Sequence, residues 1–208
     1  MRRARTVLAA ALLVLAAACS APAPSAPNAT KLPASQVDVD TATLRAAKKA
    51  AGVEPCPAPT ATKPPAADPL PGVTLPCLGG GPDVRLDRLR GPLVVNLFAQ
   101  WCGPCRSEMP YYQQLHTKGA GAVKVLGIDY LDTQPDRALQ LVRQTGVTYP
   151  LLADPSGALR TAFRIRGLPG VALVDARGRV VDVEFRVVRS YAELRSLVQQ
   201  RLGVRLPR

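Results

Sequence analysis

The chain has 208 residues, 47% of them hydrophobic, and 27 Lys and Arg against 15 Asp and Glu give it a formal net charge of +12. That is enough apolar material for one substantial core, so one compact domain with appendages is the expectation. Only 4% of the residues are aromatic, which leaves few platforms for stacking bases and, with the export signal below, argues against nucleic acid as the target of the positive charge.

Arg2, Arg3 and Arg5 precede an apolar run over residues 7–18 that is too short for a permanent membrane span and reads as an export signal. The Arg2-Arg3 pair invites a twin-arginine reading, but Ala4, Arg5 and Thr6 lack the apolar residues of such a signal, and the general export route fits better. Five cysteines are an odd number for an exported protein, so one needs a separate task. Cys19 follows Leu15-Ala16-Ala17-Ala18 and resembles the acceptor cysteine of a bacterial lipoprotein, which would anchor the chain to the cell membrane. Ordinary cleavage after Ala18 is the alternative and would leave the protein secreted. Without its signal the chain keeps 24 basic and 15 acidic side chains, a charge suited to anionic headgroups or envelope polymers, or simply to a solvated surface.

The expected plan is a lipoprotein signal over 1–18, a Pro/Ala-rich tether over 19–34, an N-terminal extension over 35–69 and a folded domain over 70–208. Thirteen of the 21 prolines fall between residues 22 and 82, which delays regular structure. Within the extension, Asp40 or Thr41 can cap a short helix that Gly52 stops. Residues 73–77 and 83–86 read as short strands joined by Gly79, Gly80 and Gly81, and 92–98 as a strand buried on both faces. A helix over 102–118 containing Pro110 follows, then a strand over 123–130. Pro135 opens a helix that Gly146 closes, and Leu159, Ala162 and Phe163 mark a short one. Residues 171–175 and 180–187 form a hairpin in which Val181, Val183, Phe185 and Val187 alternate with polar residues. Ser190 and Glu193 are a capping box for a last helix with Tyr191, Leu194, Val198 and Leu202 facing inward. The fold class is α/β, a mixed central β-sheet flanked by helices, with no internal repeat.

Trp101-Cys102-Gly103-Pro104-Cys105 carries the chemistry. A CxxC pair supplies either half of a four-cysteine zinc site or a redox dithiol, and with no second CxxC or CxxH the zinc reading fails. Cys102 falls where a buried strand ends and a helix begins, so the helix dipole and free amides favour its thiolate. Pro104 fits the first turn, and Cys105, one turn deeper, is placed to resolve a mixed disulfide. A purely structural bridge is the competing reading.

The segment from Asn96 through Cys102 and Cys105 to Glu108, Met109 and Pro110 resembles the active-site segment of exported thioredoxin-like proteins of the TlpA and ResA type. Gly167-Leu168-Pro169 resembles their second signature. The resemblance runs from about residue 70 to 202 and implies a thioredoxin fold and thiol-disulfide exchange with protein substrates. It further implies that Pro169 is a cis-proline beside the CxxC, leaving the Leu168 backbone free to pair with an extended substrate, with Leu168 and Trp101 as the apolar docking surface. An ordinary trans proline is the alternative. Gly170 departs from the threonine often found after this proline. Glu108 matches an acidic residue of the family's CxxC helix, either relaying protons to Cys105 or merely complementing the helix dipole.

Cys56 and Cys77 read as a structural disulfide pinning the extension to the domain, with a second redox pair as the alternative. His116, the only histidine, is a surface side chain or, with Cys102 and Cys105, a ligand in a copper chaperone. The expectation is a monomeric, membrane-tethered thiol-disulfide oxidoreductase that needs no metal or cofactor. It would reduce protein disulfides, in cytochrome c maturation or envelope thiol homeostasis, drawing electrons from a membrane thiol carrier. An exported oxidase is the rival.

Overall fold

Thr41 caps the first helix, α1 (Ala42–Ala50), its Oγ1 accepting the Leu44 N–H at 3.2 Å. The computed structural model describes residues 36–208 other than 59, 60, 66 and 120, so the signal, Cys19 and the tether lie outside the described residues. Two short strands follow, β1 (Thr74–Leu75) and β2 (Val84–Arg85), paired antiparallel. They are shorter than the sequence predicts. A 3₁₀ turn over Leu86–Arg88 ends β2, and past Pro76 the chain leaves β1 to run along another strand.

The central sheet has five strands: β3 (Leu93–Phe98), β4 (Lys124–Tyr130), β5 (Leu151–Asp154), β6 (Gly170–Val174) and β7 (Val180–Glu184), in the order β5-β4-β3-β6-β7. The β3-β4 and β4-β5 pairs are parallel, and the β3-β6 and β6-β7 pairs antiparallel. All six residues of β3 are buried, as its unbroken apolar run predicts for a central strand. Its side chains alternate between two cores. Val94 and Phe98 face a layer with α1 and three helices, α2 (Gly103–Lys118), α3 (Pro135–Thr145) and α5 (Tyr191–Leu202). Leu93, Val95 and Leu97 face the β1-β2 pair and the short helix α4 (Arg160–Phe163). This is the mixed sheet flanked by helices that the resemblance implies.

Caps read from the sequence are present. Gly146 ends α3 at φ +69°, and Ser190 Oγ accepts the Glu193 N–H at 3.1 Å while Glu193 Oε2 accepts the Arg189 N–H at 2.9 Å. Two features were not foreseen. Strand β5 was missed, because four buried residues show no periodicity. Its outer edge is covered by the chain after β1, with the Leu78 N–H on Leu151 O and the Ala153 N–H on Pro76 O, each at 2.9 Å. In β7 the pairing jumps from Leu173↔Asp182 to Val174↔Val180, leaving Val181 as an extra residue, 40% exposed. Val180, Val183 and Phe185 pack on the core instead, so the bulge resets the predicted alternation. Among the described residues no helix is long and apolar enough to cross a membrane.

Candidate active site

Strand β3 ends at Phe98, and four residues later Cys102 is the N-cap of α2, its Sγ accepting the Cys105 N–H at 3.2 Å. Cys102 and Cys105 are joined in a disulfide. Both are buried, whereas Trp101 beside them is 55% exposed, with its indole N–H on Leu131 O at 3.3 Å. A thiolate formed at Cys102 would keep the Cys105 amide as donor and sit at the positive end of a 16-residue helix. The arrangement therefore suits ionisation of the first sulfur and shields the second.

Gly170 pairs with Leu97, so Pro169 stands next to the carboxyl end of β3, from which the chain turns into Cys102. The Leu168–Pro169 peptide bond is cis. Leu168 packs against the core cluster that includes both active-site cysteines. A groove of about 750 Å³ opens here, lined by Phe163, Leu168, Pro169 and Phe185 with Arg164 and Arg166 at its margin. A Cβ at Gly170 would come within 2.8 Å of the Phe185 ring. That ring occupies the space the family's threonine would need, which gives the departure at Gly170 a steric reason.

Glu108 lies one turn after Cys105 on the buried face of α2, with Met109, Tyr112 and Leu115. Its Oε2 accepts the Val188 N–H at 2.9 Å and its Oε1 has no partner. Burial pushes this carboxyl up to about 7, further raised by Glu193 and opposed by the Val188 hydrogen bond and Arg186. Nearby, Asn96 Nδ2 donates to the Tyr149 hydroxyl at 3.0 Å.

Two acids not singled out in the sequence lie beside the active-site loop, and one of them, Asp132, hydrogen-bonds to it. Asp132 Oδ2 accepts the Gln100 N–H at 2.7 Å and its Oδ1 accepts the Gln134 N–H at 2.9 Å. Asp129, buried on β4 opposite Phe98, has its carboxyl held well above the usual range by burial and by Asp132. An acid inside the apolar run over 123–130 was the available signal.

The copper ligand set does not converge. His116 lies on α2 roughly 20 Å along the axis from Cys102, with its Nε2 2.9 Å from Glu54 Oε1 and its ring edge-on to Tyr149. Among the described residues no cluster of three or more His, Cys, Asp or Glu could hold a metal ion. Cys56 and Cys77 are joined in a second disulfide. A cavity of about 450 Å³ near Leu93 and Lys124 lies by the amino ends of β3 and β4, away from the CxxC.

The AhpC/TSA family model matches residues 66–183. The chain belongs to the AhpC/TSA family. The chain is similar to the thiol:disulfide interchange protein HelX of Rhodobacter capsulatus, 33% identical over 114 residues, 53% of this chain and 62% of HelX. Against the thiol:disulfide interchange protein DsbE of Vibrio cholerae it is 36% identical over 88 residues, 42% of this chain and 46% of DsbE. The thiol-disulfide oxidoreductase ResA of Bacillus thuringiensis is 31% identical over 105 residues, 49% of this chain and 60% of ResA. The match therefore spans less than two thirds of each of these relatives. Among solved structures, MTB dsbF superposes with a TM-score of 0.56 at 29% identity, covering 62% of this chain and 94% of that one. These likenesses bear out the resemblance to ResA-type proteins and the thioredoxin-like fold.

Proposed function

We propose that this AhpC/TSA-family chain is a thiol-disulfide oxidoreductase working outside the cytoplasm, where it reduces disulfides of protein substrates. The observation that carries the reading is the buried Cys102–Cys105 pair at the amino end of α2, flanked by cis-Pro169 and exposed Trp101. Reduced Cys102, as thiolate, attacks one sulfur of a substrate disulfide, and the other substrate sulfur leaves with the electron pair. Cys105 then attacks Cys102 in the mixed disulfide, which releases the second substrate thiol and leaves the enzyme oxidised. Trp101 and Leu168 receive the apolar part of an extended substrate segment, and the backbone before Pro169 pairs with it. A carboxyl at Glu108 with a pKa pushed up to about 7 suits a proton acceptor for Cys105 as it becomes a nucleophile.

The Gly103-Pro104 spacer, like that of reducing thioredoxins, supports reduction as the direction. HelX and DsbE, as thiol:disulfide interchange proteins, and ResA, as a thiol-disulfide oxidoreductase, support the disulfide chemistry, and the setting we favour for it is cytochrome c maturation or envelope thiol homeostasis. In this reading Cys19 carries a diacylglycerol anchor, residues 19–34 are the tether, and a membrane thiol carrier restores the dithiol of a monomeric enzyme. The decisive experiment expresses Cys105→Ser in the native host. Without a resolving thiol, Cys102 should accumulate a mixed disulfide with its substrate, visible on non-reducing gels and lost when Cys102 is also replaced. Absence of any such adduct, with the protein exported and folded, overturns the proposal.

A further inference from the structure

The second disulfide has polar neighbours that suit its open form better than its closed one. Lys48, on α1, is buried, and its Nζ lies 2.9 Å from Cys77 Sγ and 4.0 Å from Cys56 Sγ while donating to Gly80 O at 2.8 Å. No carboxylate forms a salt bridge with it among the described residues. Asp40, the acid whose field reaches it, is hydrogen-bonded to Arg45. Burial pushes the ammonium pKa below its ordinary value, and Asp40 opposes that only in part. On the other side, Cys56 Sγ stands 3.2 Å from Leu151 O.

A disulfide sulfur has no proton to give Leu151 O and is a poor acceptor for an ammonium. A thiol at Cys56 would donate to that carbonyl, and a thiolate at Cys77 would accept a charge-assisted bond from Lys48. Both sulfurs thus face the partner that their reduced form requires. The contact is also close: a Cβ at Gly81 would come to 3.0 Å from Cys77 Sγ.

We propose that Cys56–Cys77 is a second thiol-disulfide site, opened by small thiols or dithiols, in which Lys48 holds Cys77 as the thiolate. Cys56 is 7% exposed and Cys77 1%, so the incoming thiolate attacks Cys56. Its sulfur bonds to Cys56 Sγ, the Cys56–Cys77 bond breaks, and the electron pair leaves on Cys77 Sγ beneath the ammonium. A second thiolate then attacks the mixed disulfide. The reductant departs as a disulfide, and the Cys56 sulfur takes a proton from solvent and donates it to Leu151 O. Because a stabilised leaving thiolate leaves faster, Lys48 raises both the rate and the extent of opening. The covalent tie between the extension and the chain segment bridging β5 at Leu152 is then reversible. This site acts independently of Cys102 and Cys105.

The test equilibrates the full-length chain with glutathione buffers of defined ratio, quenches by alkylation, and reads each cysteine by mass spectrometry. Lys48→Met should shift the Cys56–Cys77 equilibrium toward the disulfide by roughly tenfold or more, about 30 mV for a two-electron couple, and slow its opening. Lys48→Arg should retain most of the effect, and the Cys102–Cys105 equilibrium in the same samples should not move. An unshifted Lys48→Met equilibrium overturns the proposal. A second measurement leaves Lys48 in place: with Cys19, Cys102 and Cys105 all replaced by serine, the reduced chain is titrated by thiolate absorbance. One thiolate should persist well below the free-cysteine pKa of about 8.5, and two ordinary thiol titrations also overturn the proposal.

Discussion

Glu108 joins helix chemistry and burial in a single carboxyl. Its place one turn after Cys105 follows from helical spacing. What the sequence could not give is the Val188 N–H, eighty residues away, that accounts for Oε2 and leaves Oε1 without a partner. Because burial raises the pKa from the ordinary 4.5 to about 7, the folded chain binds more protons than the unfolded one between these values. Glu108's own contribution to stability is therefore fully present below pH 4.5 and is lost as pH rises toward 7. Glu108→Gln removes that slope. Its unfolding free energy should exceed that of the unsubstituted chain by up to about 3 kcal/mol at pH 8 and match it in acid, as read by denaturant melts at both pH values. Disulfide exchange should slow by roughly a hundredfold or more and lose its inflection near neutrality. A purely structural Glu108 would change the melts and leave the shape of the rate profile alone.

At the scale of elements, the legible parts were those whose signals are local. The apolar run of β3, the caps of α3 and α5 and the strand-to-helix turn at Cys102 each stand within a few residues of sequence. Strand β5 and the bulge at Val181 were not legible because partners define them: β5 exists through Tyr130, Asp129 and the covering segment at Cys77, and the bulge through its register against Leu173 and Val174. Gly170 shows the same dependence. Its missing Cβ leaves room for Phe185 from the chain just beyond β7, with Leu97 of β3 also close. Gly170→Ala should destabilise the domain by about 1–3 kcal/mol through overpacking. Adding Phe185→Leu should restore part of that loss, measured as a double-mutant cycle in thermal or denaturant unfolding. Strict additivity of the two changes would show that ring and backbone do not compete for the same space.

For the whole molecule, two forces act toward a membrane: the basic excess of the chain and the proposed lipid on Cys19. Salt separates them. The Debye length shrinks from about 10 Å at 0.1 M to about 3 Å at 1 M, so attraction between a surface carrying excess Lys and Arg and anionic headgroups fades, whereas acyl chains gain about 0.8 kcal/mol per buried methylene whatever the ionic strength. In fractionated cells, the unsubstituted protein should therefore stay with the membrane pellet through a wash in high salt and leave it only in detergent. Cys19→Ala should appear largely in the soluble or secreted fraction at physiological salt, with any residual binding removed by the wash. Retention of Cys19→Ala in the pellet at high salt would mean that neither the cysteine nor the charge is the anchor, and the uncleaved apolar run over residues 7–18 would have to account for the attachment.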